Sequence, residues 1–132
     1  MKGALTGLFT ITFILVLLAS CSANPENAIV GKWSFSTGGE IKTMEFFQDG
    51  TFQVVDKKKN PDLFGTKLTW TWETITWGGD YKFIAKNRIK LTDRGLESPN
   101  PGGSIVDEIS VSPDELILTA PDGTVSNYRK VK

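Results

Sequence analysis

Apolar and polar residues alternate along most of the chain after residue 28. In residues 31–36, Trp33 and Phe35 occupy alternate positions, and lysine or serine occupies positions 32, 34 and 36. Successive side chains of a β-strand point to opposite faces, so this period of two predicts a strand with one buried face. The same pattern is found in residues 41–47, 51–56, 68–77, 81–85 and 88–92. No segment of the domain combines a helical period with capping residues.

Clusters of glycine, proline, aspartate and asparagine divide these strands. Residues 48–51 predict a hairpin, because the glycine at position 50 accepts the positive φ of a tight turn. Residues 57–67, which contain three consecutive lysines and a proline, predict an exposed loop. Residues 78–80 predict a turn, and residues 93–103 predict a second long loop. The sequence therefore predicts an all-β antiparallel meander of about nine short strands, closed either as a barrel or as a sandwich.

The first twenty residues follow a different pattern. Lys2 precedes an uncharged, largely apolar run over residues 5–19, and polar residues 22–28 follow at once. This is the length of the apolar region of a signal peptide, and it is shorter than the roughly 20 residues of a membrane-spanning helix. We interpret residues 1–20 as a signal peptide, residues 21–28 as a tether and residues 29–132 as one domain.

Leu18-Ala19-Ser20-Cys21 closes the apolar run and resembles the lipobox of bacterial lipoproteins. The resemblance implies that the Cys21 sulfur carries a diacylglyceryl group and that cleavage occurs just before it. Membrane lipid would then be a partner through the acylated Cys21. The next residue is Ser22 rather than aspartate, which in lipoproteins of Gram-negative bacteria favours the outer membrane. An ordinary signal peptide that happens to contain cysteine is the alternative.

The charge and residue types limit the functions to be considered. The chain has 15 basic and 15 acidic residues, and removal of residues 1–20 takes away one lysine. A near-neutral domain argues against a nucleic-acid partner, which requires an excess of basic side chains. The chain has one cysteine and no histidine, which excludes Ser-His-Asp and Cys-His catalysis and histidine-containing zinc sites. We therefore predict no catalytic residue, no metal and no cofactor, and we do not expect an enzyme.

Four motifs in the domain resemble those of small bacterial lipocalin-like lipoproteins. They are Gly31-Lys32-Trp33, Phe-Gln-Asp-Gly-Thr-Phe at residues 47–52, Tyr-x-Phe-x-x-Lys-Asn-x-Ile-x-Leu at residues 81–91, and Tyr-Arg-Lys at residues 128–130. The resemblance implies a small lipocalin-like barrel of about eight or nine strands, with Trp33 plugging one end near Gly31. It also implies a basic residue of the last strand over the Trp33 ring. Arg129 and Lys130 both lie there and the sequence does not choose between them; Arg129 is the working candidate.

Several side chains are candidates for a ligand pocket. Trp70 and Trp72 share a face of their strand, Tyr81 and Phe83 share a face of the next, and Asp107 alternates with isoleucines at positions 105 and 109. If these faces point inward, aromatic rings surround an apolar ligand and Asp107 supplies a polar anchor. The alternative is that the aromatic residues are ordinary core and that Asp107 lies at a strand end or turn.

Two hypotheses of function follow. In the first, the barrel binds a small apolar or amphipathic molecule. In the second, the barrel is filled by its own side chains and docks on envelope proteins through residues 57–67 and 93–103. The lysine run at residues 57–59 is either a solvated face or a contact with anionic lipid head groups.

Overall fold

The alternating segments form antiparallel strands in the computed structural model, which describes residues 24–95 and 97–132. The predicted signal peptide and Cys21 lie outside the described residues. A short helix, α1 (Pro25–Ala28), precedes the strands, and its N-cap Asn24 accepts a hydrogen bond from the Glu26 N–H at 3.1 Å. Among the residues described, no helix has the length and apolar character needed to cross a membrane. The eight strands of the described chain are β1 (Gly31–Thr37), β2 (Glu40–Phe46), β3 (Thr51–Phe64), β4 (Lys67–Ala85), β5 (Arg88–Arg94), β6 (Ser104–Val111), β7 (Glu115–Thr119) and β8 (Val125–Lys130).

Each strand pairs antiparallel with the next one in sequence, and β1 pairs with β8 to close a barrel. The closing register joins Trp33 to Lys130 and Ser34 to Arg129. The predicted all-β antiparallel meander is therefore confirmed, and of the two closed forms considered the chain adopts the barrel. The described residues form eight strands rather than nine, because the turn predicted at residues 78–80 does not form.

β4 instead continues through Gly78 and Gly79. Gly79 pairs with Phe52 of β3 on one side and with Asp93 of β5 on the other. A Cβ at Gly78 would lie 2.6 Å from the Phe52 carbonyl oxygen, and a Cβ at Gly79 would collide with the backbone of β5. The two glycines therefore let three strands approach closely, which is a role of glycine within strands as well as in turns.

β3 and β4 extend beyond the barrel as a two-stranded arm, which we define as residues 59–64 and 67–72. β2 pairs with β3 only as far as Lys58, and β4 pairs with β5 only from Gly78 onward. Between these limits the arm strands pair with each other, and a turn containing Gly65 at φ +65° joins them. Six strand residues at about 3.3 Å each make the arm about 20 Å long. The prediction of an exposed loop at residues 57–67 is wrong, because Pro61 lies where its strand has one partner and the missing N–H is tolerated.

The inward faces of the strands form one hydrophobic core. Burying one large apolar side chain contributes about 1.5–3 kcal/mol, so the core is the main stabilising element of the barrel. Its largest fully buried side chains are Trp33 and Phe46. The buried apolar residues are Ile29, Trp33, Met44, Phe46, Phe52, Val54, Ile89, Leu91, Ile109, Leu116, Leu118 and Tyr128.

The two ends of the barrel differ. At one end, which we call the Trp33 end, β1 begins beside the end of β2, and the Trp33 indole N–H donates to the Ile29 carbonyl at 2.8 Å just after α1. At the other end, the arm end, β2 begins and the arm leaves the barrel. Asn24, the first residue that the structure describes, is therefore at the opposite end of the barrel from the arm.

Candidate functional site

A cavity of about 270 Å³ lies inside the barrel toward the arm end. Most of its wall is apolar, with Met44, Phe52 and Leu118 among the core residues that reach it. Trp77 and Tyr128 add aromatic surface. The charged side chains of the wall are Lys42, Asp93 and Asp107.

Asp107 is the most deeply buried of the charged residues in the cavity wall. It lies on β6 opposite Ile89, and only 7% of its surface is exposed. Its Oδ1 is buried and has no hydrogen-bond partner in the structure. Burial raises the pKa of Asp107 to about 6, and the negative charge of Asp122 adds to the shift. Of the two alternatives considered for Asp107, the structure shows the one in which its side chain is buried and lines the cavity.

The other two charged side chains of the cavity wall already have partners. Lys42 Nζ lies 3.5 Å from a carboxylate oxygen of Glu40. A carboxylate oxygen of Asp93 accepts a hydrogen bond from the Ser98 hydroxyl at 2.7 Å. Asp107 therefore differs from both, since the described residues supply no donor to its buried oxygen.

Asp56 is a second buried carboxylate, on β3 next to the cavity residue Lys42. Desolvation raises its pKa; the charge of Lys42 opposes this shift, that of Glu40 adds to it, and that of Lys58 opposes it. One Asp56 oxygen lies 3.6 Å from Lys58 Nζ and the other has no partner. Asp56 is not among the predicted site residues, although Phe52, Val54 and Asp56 continue one alternating face of β3.

Tyr128 and Trp77 also line the cavity, although neither is among the predicted site residues. Burial is the largest of the influences that raise the pKa of Tyr128 to about 12, and the charges of Glu40, Asp107 and Asp56 contribute to the rise. These three carboxylates belong to three different strands, β2, β6 and β3. Trp77 belongs to the part of β4 that crosses the barrel, where it pairs with Val54.

Trp70 and Trp72 do not face the interior, so that part of the predicted pocket is wrong. They are 54% and 49% exposed, on the arm. β4 is continuous, so even-numbered positions lie on the face opposite to Tyr81 and Phe83. The turn expected at residues 78–80 would have reset this alternation, and its absence moves both tryptophans to the outer face.

On the arm the two tryptophans form part of an exposed apolar surface. Leu63 and Leu68 are paired across the strands on the same face, and Pro61 is paired with Trp70. Lys59 Nζ lies 5.1 Å from the centre of the Trp70 ring, within the range of a cation–π contact. We call this set (Lys59, Pro61, Leu63, Leu68, Trp70 and Trp72) the outer arm face.

Tyr81 and Phe83 do pack against the core as predicted, but near the Trp33 end rather than in the cavity wall. The Tyr81 ring meets Phe46 edge to face at 5.2 Å. Its hydroxyl donates to the Phe47 carbonyl at 2.6 Å. The five predicted pocket residues are therefore divided among three places, and of these Asp107 alone lines the cavity.

The predicted barrel-end signature is present with one correction. Lys130, not Arg129, covers Trp33: its Nζ lies 4.5 Å from the centre of the ring and donates to the Val30 carbonyl at 2.9 Å. Arg129 lies next to it and is exposed. Gly31 has φ +131°, and a Cβ there would collide with the Lys130 ammonium group. Glycine is required mainly because other residues rarely adopt this positive φ, and its missing side chain also leaves room for that group.

Within the described residues, no group of three or more histidine, cysteine, aspartate or glutamate side chains is arranged to hold a metal ion. The geometry of this region therefore consists of an apolar and aromatic cavity with one unpartnered carboxylate. Such a cavity suits recognition of a small molecule, since a few placed polar groups in an apolar wall fix a ligand's orientation.

Comparison with known proteins supports the fold. No protein-family profile matches the chain, and no curated protein does. The NMR structure of a protein from Bacteroides thetaiotaomicron is similar with a TM-score of 0.52 and 20% identity, covering 84% of this chain and 96% of that one. The crystal structure of a lipocalin-like protein from Bacteroides uniformis is similar with a TM-score of 0.51 and 18% identity, covering 79% of this chain and 99% of that one. The barrel described here therefore has a lipocalin-like fold.

Proposed function

We propose that this protein binds a small amphipathic molecule inside its barrel and is held at a membrane by acylated Cys21. The observation that carries the binding proposal is the cavity of about 270 Å³. Its wall combines apolar and aromatic side chains with the unpartnered carboxylate of Asp107. A barrel that served as a scaffold alone would gain stability by filling this space and by replacing a buried charge with an apolar side chain.

Direct binding measurements with a matched pair of variants test the proposal. Ser126 lines the cavity, so Ser126→Phe places a ring into it, whereas Asn127→Phe adds the same ring to the exposed side of β8. A panel of short-chain amphiphiles and hydrophobic dyes is titrated by calorimetry. We expect saturable binding to the parent protein and to Asn127→Phe, and loss of binding in Ser126→Phe. Equal binding by both variants would place the ligand elsewhere and contradict the proposal.

The anchor proposal is supported by the lipobox-like residues Leu18 to Cys21 in the sequence and by the position of the described N-terminus. Cys21 is three residues before Asn24, so at most about 11 Å of chain separates them. The Trp33 end, which carries Asn24, would then face the membrane, and the cavity and arm would face away from it. Ser22 after the cysteine supports the outer membrane as the location.

The anchor is tested by intact mass and by phase partitioning of the protein isolated from membranes. We expect the mass of a chain that begins at Cys21 with attached acyl groups. A Cys21→Ala variant should lack this mass and leave the membrane fraction, while Ser22→Ala should keep both properties. Unchanged partitioning of Cys21→Ala would overturn the anchor.

The outer arm face favours a second candidate function, docking on an envelope protein. Its tryptophan and leucine side chains are exposed, and its lysine is on the same face without an acidic neighbour in the strand register. The partner is expected to present an apolar patch bordered by acidic residues, because such a surface complements both features. The arm, a pair of strands, would then be the docking segment in place of the loop that was predicted at residues 57–67.

Site-specific crosslinking from the arm in intact cells tests the docking function. Trp70→Ala with Trp72→Ala should abolish a discrete crosslinked product, whereas Thr69→Ala with Thr71→Ala, on the opposite face of the same strand, should retain it. A product that survives loss of both tryptophans would show that the outer arm face is not the contact.

A further inference from the structure

Asp107 has a buried carboxylate that the protein itself does not neutralise. Among the described residues, no lysine or arginine nitrogen lies within 4.0 Å of the Asp107 carboxylate. Five other carboxylates in this part of the chain do form such ion pairs. Its Oδ1 is buried without a hydrogen-bond donor. A buried charge without a partner is costly, and proteins keep one mainly where a ligand or a function uses it.

The surrounding groups do not offset this charge. Lys42 is the basic residue of the cavity wall, and it is paired with Glu40 at 3.5 Å. Asp93 adds a second carboxylate to the same wall. The charge balance of the cavity therefore favours a cation and disfavours an anion such as a fatty-acid carboxylate.

The remaining wall also suits a cation with an apolar body. Trp77, Tyr128 and Phe52 present aromatic surface to the cavity, and aromatic faces attract ammonium groups. Leu91 and Leu118 supply surface for a hydrocarbon portion. A site with a carboxylate at one position and apolar side chains around it distinguishes an amphipathic amine from an uncharged molecule of the same shape.

We propose that the barrel cavity binds a small organic amine as its ammonium ion, with the Asp107 carboxylate as the counter-ion and hydrogen-bond acceptor. This inference rests on the proposed binding function and narrows it to one chemical class. A volume of about 270 Å³ equals that of about nine water molecules at roughly 30 Å³ each. The cavity therefore has room for a single ring or a short chain and is too small to enclose a two-chain lipid.

The test compares three probes of the same length: 1-hexylamine, 1-hexanol and hexanoate, titrated by calorimetry at pH 7.5. An alkylamine is protonated at this pH, as a lysine side chain is. We expect the amine to bind and the alcohol and acid to bind at least about tenfold more weakly, since a hydrogen bond to a charged group contributes about 1.5–3 kcal/mol. Binding of all three with similar affinity would overturn the amine assignment and leave the binding function intact. Binding of none would overturn both.

A pair of variants tests the role of Asp107 itself. Asp107→Asn keeps the shape and removes the charge, and Asp62→Asn removes an exposed carboxylate on the arm. The first should weaken amine binding by about tenfold or more and the second should leave it unchanged. Undiminished amine binding by a folded Asp107→Asn would show that another group holds the ammonium ion.

The pH dependence of amine binding gives a second measurement that needs no variant. Burial raises the pKa of Asp107 to about 6, so the free protein loses this counter-ion as the pH falls below that value. The amine Kd should then rise by up to about tenfold for each further pH unit. The titratable groups that share the cavity wall with Asp107 are Lys42, Asp93 and Tyr128, and the charge of Asp122 also acts on Asp107. Glu40 and Asp56 act on Tyr128. A Kd that is constant between pH 4.5 and 7.5 would contradict the role of Asp107.

Discussion

Replacement of Asp107 by asparagine should stabilise the protein at neutral pH, and the gain should vanish in acid. The carboxylate is 7% exposed and its buried oxygen has no donor, so folding removes it from water without compensation. Asparagine has nearly the same shape and no charge. The variant therefore isolates the cost of burying the ionised group.

The size of the effect follows from the raised pKa. Burial moves the pKa of Asp107 from 3.8 to about 6, and each pKa unit corresponds to 1.36 kcal/mol, which makes about 3 kcal/mol in total. Below about pH 3 the carboxyl is neutral in both folded and unfolded chains, so the penalty is absent. As the pH rises through 4 to 6 the unfolded chain releases its proton first, and the free energy of unfolding falls. Above about pH 7 the full penalty is present.

Urea unfolding at a series of pH values from 3.5 to 8 measures this difference. We expect the free energy of unfolding of Asp107→Asn minus that of the parent to increase by up to about 3 kcal/mol across the series. Asp62→Asn, which changes an exposed carboxylate, should differ from its parent by no more than about 0.5 kcal/mol at any pH. Parallel pH profiles for Asp107→Asn and the parent would refute the argument, because they would mean that Asp107 is not desolvated in the folded state.

Three further changes test other contacts. Lys130→Met should lower the free energy of unfolding by about 1–3 kcal/mol, since it removes a charged hydrogen bond and a cation–π contact. Arg129→Met should change it by less than about 0.5 kcal/mol. Equal effects of the two changes in thermal unfolding would contradict the assignment of Lys130 as the residue that covers Trp33. Changing Trp70 and Trp72 to phenylalanine should remove the red-shifted fluorescence that acrylamide quenches most readily, because both rings are exposed; retention of that component would place the rings in the interior. Tyr81→Phe removes a hydroxyl that donates to a backbone carbonyl and should cost about 1 kcal/mol in urea unfolding, whereas no loss would mean that water replaces this bond.

Much of the barrel is predictable because its strands follow the period of two closely. Trp33 alternates with polar residues on β1, and Ile89 alternates with charged residues on β5. The same pattern makes Asp107 a candidate for an inward position, since its neighbours at every second position are apolar. In these segments the local pattern and the burial in the barrel agree, and the fold class follows from the sequence.

The arm and the pocket aromatics were not predictable in this way. The period of two reports which residues share a face within one strand, but it cannot show whether Gly78 and Gly79 end a strand or bring three strands close together. A single error at this point reversed the face assigned to Trp70 and Trp72. The contact of Lys130 with Trp33 depends on the register between the first and last strands, which no local pattern contains.

The junction between β1 and β8 also has a consequence for the order of folding. Seven of the eight strand pairings join neighbours in sequence, and all of these except β5–β6 form through short connections. The closing junction brings together Val30 and Lys130, 100 residues apart, and loop closure over this distance costs about 4 kcal/mol plus a constant. We therefore expect the neighbouring hairpins to form first and the barrel to close last, with the Lys130 contact on Trp33 holding the seam. Amide protons of β8 on the seam should accordingly exchange sooner than those at the centre of β2, because a barrel that closes last opens there first.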